Sequence, residues 1–327
     1  MKFAMYGSGA AGSVFASYLR GGGADIILID RYAEHMEKIA REGMTFTLHL
    51  QEGGEYHDVT KVLQGFRTYT SAEEAYAAEG KVDAIIYMTK ATQLEQAIVD
   101  SAPVVGKETV AVSLINGLGN DDMLMKTYPA SRCVIGSGVL GTALKGPGHC
   151  VSTPVGGVQM NFGAIERNPR TDAVCEELLK RYQAGGCDAR WRKDDIYTFV
   201  WKKVIVNATV NTVCYVLRLK IGEIEADPFG RELFRDVIRE ACAVATARGT
   251  KLDAEDFIAH DHMDVVTNVG DYYPSMCQDA FHRRPTEIDV LNGKIAEYGK
   301  ELGIPTPTCA VLSQVVRAIQ GNYDKQF

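Results

Sequence analysis

The chain has 327 residues, more than one ordinary core of about 100 to 150 residues, and so suits two domains. With 46% hydrophobic and 24% charged residues it has the balance of a soluble globular enzyme and not of a disordered or collagen-like chain. A net charge of -7, from 35 Lys and Arg against 42 Asp and Glu, argues against nucleic acid or an anionic membrane as the main partner. A local basic pocket for a small anion stays compatible with it.

In chain order, residues 2–6 read as a buried strand, 11–20 as a helix and 25–29 as a second strand closed by Asp30. A helix follows over 33–42, an alternating stretch over 44–50, a strand over 82–88, a helix over 94–99 and a strand over 109–114. Strands and helices alternating at this spacing predict a parallel, helix-covered sheet. Beyond that the pattern is helical over 171–184, 194–217, 230–248, 253–269, 275–281, 286–302 and 308–319. Asp253 and Thr286-Glu287 look like helix starts. The fold class is therefore α/β, with a Rossmann-type parallel-sheet domain over 1–165 and an all-helical domain over 166–327. The hinge is expected between Gly163 and Asn168.

No apolar run approaches the roughly 20 residues of a membrane helix. The N-terminus enters a glycine-rich turn too early for a signal peptide, so the cytoplasm is the expected location. The eight cysteines are widely spaced, several within apolar helical patterns, and read as reduced, packed thiols. No CxxC or HxxxH is present to hold zinc, and His260-Asp261-His262 reads as a solvated helix segment, so no metal is expected.

Gly7-Ser8-Gly9-Ala10-Ala11-Gly12 fits G-x-G-x-x-G directly after a strand and at the start of a helix. The first glycine permits the tight turn, the second lets backbone approach a pyrophosphate, and the third packs helix on strand. The pyrophosphate would sit on the helix's unpaired N–H groups. Asp30, at the end of the second strand, stands where such a fold places the acid that accepts ribose hydroxyls. A 2′-phosphate beside it would be repelled, which favours NAD, whereas the adjacent Arg31 could offset that charge or stack on adenine. The pair leaves both cofactors open, with a lean to NAD.

None of the seven histidines lies in a recognisable catalytic motif. Lys203, Asn207 and Asn211 are spaced i, i+4, i+8 and share one helix face flanked by Val and Ile. Two amides and an ammonium are costly to bury there unless they meet something polar, and a substrate would supply it. The alternative is a snorkelling surface lysine with asparagines that only pair or cap. A second polar cluster comprises Ser275 to Asp279 and Thr286 to Gly293. A Glu can orient a Lys and stabilise its ammonium there, and a Ser hydroxyl can hold a carboxylate, though Thr286-Glu287 could also only start a helix.

Taken together, the glycine motif, Thr89-Lys90-Ala91, Asn116-Gly117-Leu118-Gly119, the stretch from Trp201 to Asn207 with Asn211, Pro274 to Asp279, Arg284 to Asp289, and Asn292-Gly293 resemble the ketopantoate reductase (2-dehydropantoate 2-reductase) family. The motifs run in family order over nearly the whole chain. The resemblance implies an N-terminal NAD(P)-binding domain, a helical substrate-binding domain, and a cleft between them where hydride reaches a 2-keto carbon. It implies Lys203 as general acid and Glu287 as partner of that lysine and of a substrate hydroxyl. Asn207, Asn211 and Ser275 would bind the substrate's polar groups. Lys90 and Asn116 would line the cofactor and the reacting end of the substrate. The family's usual cofactor is NADP(H), with a basic residue where Arg31 stands; Asp30 instead suggests NAD(H).

Three functions follow. The first is reduction of ketopantoate to (R)-pantoate for pantothenate biosynthesis. The second is an NAD-dependent D-2-hydroxyacid dehydrogenase on branched or aromatic 2-keto acids. The third is a non-catalytic NAD(P) sensor, against which the joint presence of Lys203, Asn207, Ser275 and Glu287 argues. The expected partner is a small 2-keto acid, with a homodimer as the expected assembly.

Overall fold

The computed structural model describes residues 1–52, 55–154 and 157–326, which form two compact units. The first comprises Met1–Ile115 and Asn120–Ile196, the second Asn116–Gly119 and Tyr197–Phe327.

The first unit is built on eight strands: β1 (Lys2–Tyr6), β2 (Asp25–Ile29), β5 (Arg67–Tyr69), β6 (Val82–Tyr87), β7 (Val105–Ser113), β8 (Cys133–Gly138), β11 (Met160–Ala164) and β12 (Ala189–Trp191). Their order in the sheet is β12-β11-β8-β7-β6-β1-β2-β5. The stretch β5-β2-β1-β6-β7-β8 is all parallel and is the 3-2-1-4-5-6 order of a dinucleotide-binding fold. That order reverses between β1 and β6, so the crevice for a ligand lies off the C-terminal ends of those two strands. Central strands such as β1 and β2 read as apolar runs because they are buried on both faces.

A second sheet was not legible in the sequence beyond the alternation over 44–50. It pairs β4 (Glu55–Leu63), β3 (Met44–Glu52), β10 (His149–Pro154) and β9 (Leu140–Gly146) in that order, with β10 parallel to β3 and the outer pairs antiparallel. Its partners are about a hundred residues apart, a long-range pairing that local pattern does not report.

The passage between units falls at Ile196, later than the hinge expected between Gly163 and Asn168. Helix Pro169–Ala184 buries Val174, Cys175, Leu178 and Tyr182 in the first core, and β12 extends the first sheet beside β11. The helix crosses Ala10–Gly21 so closely that a Cβ on Gly185 would meet the Tyr18 carbonyl oxygen at 1.9 Å, and one on Gly22 the Arg181 carbonyl oxygen at 1.9 Å.

The second unit is helical around its own apolar core, which includes Trp201, Ile205, Phe234, Ile238 and Ile295. Two helices expected to be continuous each contain a π-turn, at Asn207–Asn211 and Ile258–His262. The second π-turn corrects the reading of the His260 triplet. His262 is buried, with Nε2 3.0 Å from Glu225 Oε2 and its ring edge-on to Phe234, while His260 stays exposed beside Asp256. Thr286-Glu287 does not start a helix either. Thr286 donates its N–H and hydroxyl to Gln320 Oε1, at 3.0 and 2.8 Å, so Glu287 lies in a bend before the turn Ile288–Val290. The helix begins at Asn292. All eight cysteines are buried and unbridged, and no helix of the described residues is long and apolar enough to cross a membrane.

Candidate functional site

The glycine motif sits at the crevice. Gly7 leaves β1 with φ +94, a left-handed conformation that favours glycine, and a Cβ there would press on Met88 and Thr89 at 2.9 Å. Gly12 packs so tightly that a Cβ would lie 1.9 Å from the Gly7 carbonyl oxygen. Gly9 differs, because a Cβ there would meet nothing within 4 Å. The protein's own packing therefore does not demand a glycine at position 9, whereas a ligand lying against that backbone would. Helix Ala10–Gly21 begins immediately after it, with no side chain capping its first N–H groups. The hydroxyls of Ser8 and Thr89 are buried here with no hydrogen-bond partner among the described residues. Buried polar groups are rarely left so, and together with the open face at Gly9 they fit a bound dinucleotide pyrophosphate. Thr89 adds a contact that the glycine motif alone does not predict; its signal is its place right after β6, at the point where strand order reverses. Lys90, next in the chain, is exposed at the same end.

Asp30 lies at the tip of β2 and accepts hydrogen bonds from the backbone N–H of Ser8 at 2.5 Å and of Tyr32 at 2.9 Å. A carboxylate offers about four lone-pair positions, so roughly two stay available to ribose hydroxyls. Arg31 forms an ion pair with Asp100. Tyr6 feels the charges of Asp100, Glu73 and Asp30 against that of Arg31, and its hydroxyl pKa is raised, by burial first and then by those carboxylates.

In the second unit, Lys203 is carried on helix Ile196–Val206 behind the buried Trp201. Its neighbour Lys202 is committed to an ion pair with Asp261 at 2.8 Å. Lys203 is partly buried, and burial pushes its ammonium down from 10.5 to about 8, with the charge of Glu287 acting the other way. The sequence pattern thus placed a lysine and a glutamate in two distant segments that the structure couples electrostatically.

Asn207 and Asn211 are the ends of the π-turn. The wider i→i+5 turn changes the angle between positions four apart from that of a regular α-helix. Asn211 is buried and donates its Nδ2–H to Ser275 Oγ at 3.1 Å, which joins the two polar clusters. Asn292, fully buried, secures the turn: its Nδ2–H donates to the Ala208 carbonyl at 3.0 Å and its Oδ1 accepts from the Thr212 hydroxyl at 2.6 Å. The sequence pattern Asn292-Gly293 does not by itself reveal this role.

Asn116 belongs to the short segment Asn116–Gly119 that counts with the second unit. Leu118 N–H donates to the Val290 carbonyl at 2.9 Å, and a Cβ on Gly117, φ +93, would strike Val290 at 2.5 Å. Asn116 is thereby held next to the bend that carries Glu287. Among the described residues no cluster of His, Cys, Asp or Glu is arranged to hold a metal ion.

Comparison with known proteins agrees with this arrangement. The family model described as "Ketopantoate reductase PanE/ApbA" matches residues 3–167, and "Ketopantoate reductase PanE/ApbA C terminal" matches 195–320. A 2-dehydropantoate 2-reductase of Streptococcus pyogenes serotype M3 is 30% identical over 313 residues, 95% of either chain. The structure of D-mandelate dehydrogenase with NADH and anilino(oxo)acetate is 29% identical with a TM-score of 0.81, covering 100% of both chains. A structure described as a putative 2-dehydropantoate 2-reductase from Enterococcus faecalis is 30% identical with a TM-score of 0.76, again over 100% of both.

Proposed function

We propose that the chain, which belongs to the ketopantoate reductase family, reduces the 2-keto group of ketopantoate to the hydroxyl of (R)-pantoate, with Lys203 as general acid. The chain is an NAD(P)-dependent oxidoreductase acting on a CH–OH group. A reduced nicotinamide dinucleotide, when bound, supplies the hydride. The chain's residues bind, orient and deliver the proton. The loop from Gly7 to Gly12 offers backbone N–H groups to the pyrophosphate, and Asp30 accepts from the ribose. As negative charge grows on the keto oxygen, the Lys203 ammonium stabilises it and passes a proton from Nζ. Asn207, Asn211 and Ser275 offer neutral donors to the substrate's carboxylate and hydroxyl, and Glu287 keeps Lys203 charged despite burial.

The observation that carries this reading is Lys203 itself, held at about 8 by burial against Glu287. An ordinary lysine near 10.5 is a weak acid at neutral pH; one near 8 gives up its proton far more readily while staying mostly charged at pH 7. For the cofactor we favour NADH, because Asp30, Asp100 and Glu73 outnumber Arg31 around Tyr6 and would repel a 2′-phosphate.

A second reading, an NAD-dependent D-2-hydroxyacid dehydrogenase on branched or aromatic keto acids, is favoured by the same acidic surroundings and by the likeness to D-mandelate dehydrogenase. A steady-state panel separates the two by crossing ketopantoate, 2-ketoisovalerate and phenylglyoxylate with NADH and NADPH. Ketopantoate with the highest kcat/KM supports the first reading; poor turnover of it beside rapid reduction of another keto acid replaces it with the second.

A further inference from the structure

We propose that His35 is a positioning residue for the dinucleotide loop: through the Ser13 hydroxyl it fixes the Ser8–Gly9 peptide so that the Gly9 N–H faces the ligand. The proposal rests on the assignment of that loop to a dinucleotide.

His35 is fully buried in the first turn of helix Ala33–Glu42. Its Nδ1 lies 2.8 Å from the backbone nitrogen of Gly148, in the turn between β9 and β10. A backbone N–H can only donate, so Nδ1 carries the lone pair and the proton of the neutral ring is on Nε2. Nε2 lies 3.0 Å from Ser13 Oγ, which in turn lies 2.7 Å from the Ser8 carbonyl oxygen, an atom that can only accept. Every bond direction in the chain is thereby set: Gly148 N–H to Nδ1, Nε2–H to Ser13 Oγ, and Ser13 O–H to the Ser8 carbonyl. Burial lowers the His35 pKa below its ordinary 6.5, with the charge of Asp30 acting the other way, in keeping with a neutral ring. The Tyr32 ring is stacked against it, centroids 5.6 Å apart.

The consequence follows from peptide planarity. In a trans peptide the C=O and the following N–H point in opposite directions. With the Ser8 carbonyl drawn inward to Ser13, the Gly9 N–H points the opposite way, away from Ser13, and the space around Gly9 is open enough that an added Cβ would meet nothing within 4 Å. On the other flank, the Ser8 N–H donates to Asp30 Oδ2, so both peptides around Ser8 are held. Glycine at position 9 leaves its backbone free to rotate, and a flipped Ser8–Gly9 peptide would aim a carbonyl oxygen at the pyrophosphate. The Ser13 hydroxyl opposes that flip, and His35 holds the hydroxyl in the donating orientation while tying the loop to the second sheet.

The test is isothermal titration of the whole chain and its Ser13→Ala and His35→Leu variants with NADH, NADPH, ADP-ribose and adenosine, with thermal unfolding alongside. Both variants are expected to weaken NADH and ADP-ribose by about tenfold and to leave adenosine, which has no pyrophosphate, within about twofold. Ser13→Ala removes only one oxygen and keeps the proposal testable where His35→Leu fails to fold. Unchanged ADP-ribose affinity in Ser13→Ala, or an equal loss for adenosine, overturns the role of His35 and leaves the dinucleotide site standing. No binding of NADH, NADPH or ADP-ribose by the unaltered chain overturns both.

Discussion

Replacing Glu287 by Gln tests the proton donor directly, because it alters the charge on Lys203 while leaving the lysine in place. Burial brings the Lys203 ammonium from 10.5 to about 8, which corresponds to a preference for the neutral amine on the order of 3 kcal/mol, and Glu287 opposes part of that burial. A unit charge about 4 Å away contributes between about 1 kcal/mol in a water-like medium and about 4 kcal/mol at an effective dielectric near 20. Losing even the lower figure lets the amine release its proton about 0.7 pH unit sooner. The assay is kcat/KM for the keto acid at saturating dinucleotide from pH 6 to 10. The unaltered enzyme is expected to be level up to about pH 7, to turn near pH 8, and to fall about tenfold per pH unit beyond. Glu287→Gln should shift that turn to near pH 7 or below. A turn that stays near 8, or moves upward, refutes the coupling. Lys203→Arg keeps a cation that cannot release its proton, and a loss of kcat smaller than about tenfold there would refute proton donation by Lys203.

The same burial makes a stability prediction. Because the folded value lies below the unfolded one, the unfolded chain holds the extra proton between about pH 8 and 10.5, so stability rises with pH through that window and is lowest below it. Lys203→Met should therefore raise the melting temperature at pH 7 by a few degrees while abolishing turnover; a lower melting temperature would contradict the burial cost. Gly9→Ala and Gly12→Ala separate ligand from packing. The first should keep the melting temperature and lose dinucleotide affinity about tenfold or more, and the second should unfold at distinctly lower temperature because its Cβ meets the Gly7 carbonyl oxygen at 1.9 Å. Equal effects of the two in thermal unfolding would remove the reason for assigning position 9 to a ligand. Asn292→Ala leaves the Ala208 carbonyl and the Thr212 hydroxyl without their buried partner and should destabilise by about 2 kcal/mol in urea unfolding, with a fall in kcat as the π-turn relaxes. An unchanged kcat at full folding would mean the turn does not depend on that clamp.

Much of the first unit was legible because its signals are local. Gly7 to Gly12, the apolar runs of β1, β2 and β6, and Asp30 at a strand tip each follow from a period or a backbone requirement within a few residues. Lys203, Asn207, Asn211 and Ser275 stood out for a related reason: polar groups in an apolar helical setting need partners. What the local pattern missed has long-range causes. The sheet that joins β3 to β10 unites strands about a hundred residues apart, and residues 166–196 belong with the first unit only because helix Pro169–Ala184 packs on its core. The π-turn is set by Asn292, eighty-odd positions away, and the bend at Glu287 by Gln320. Residue types and their spacing were thus enough to single out the loop from Gly7 to Gly12 and Lys203 as candidates. Tertiary structure alone decided the acidity of Lys203 and the orientation of the Ser8–Gly9 peptide, because desolvation and hydrogen-bond direction depend on neighbours that sequence order does not place.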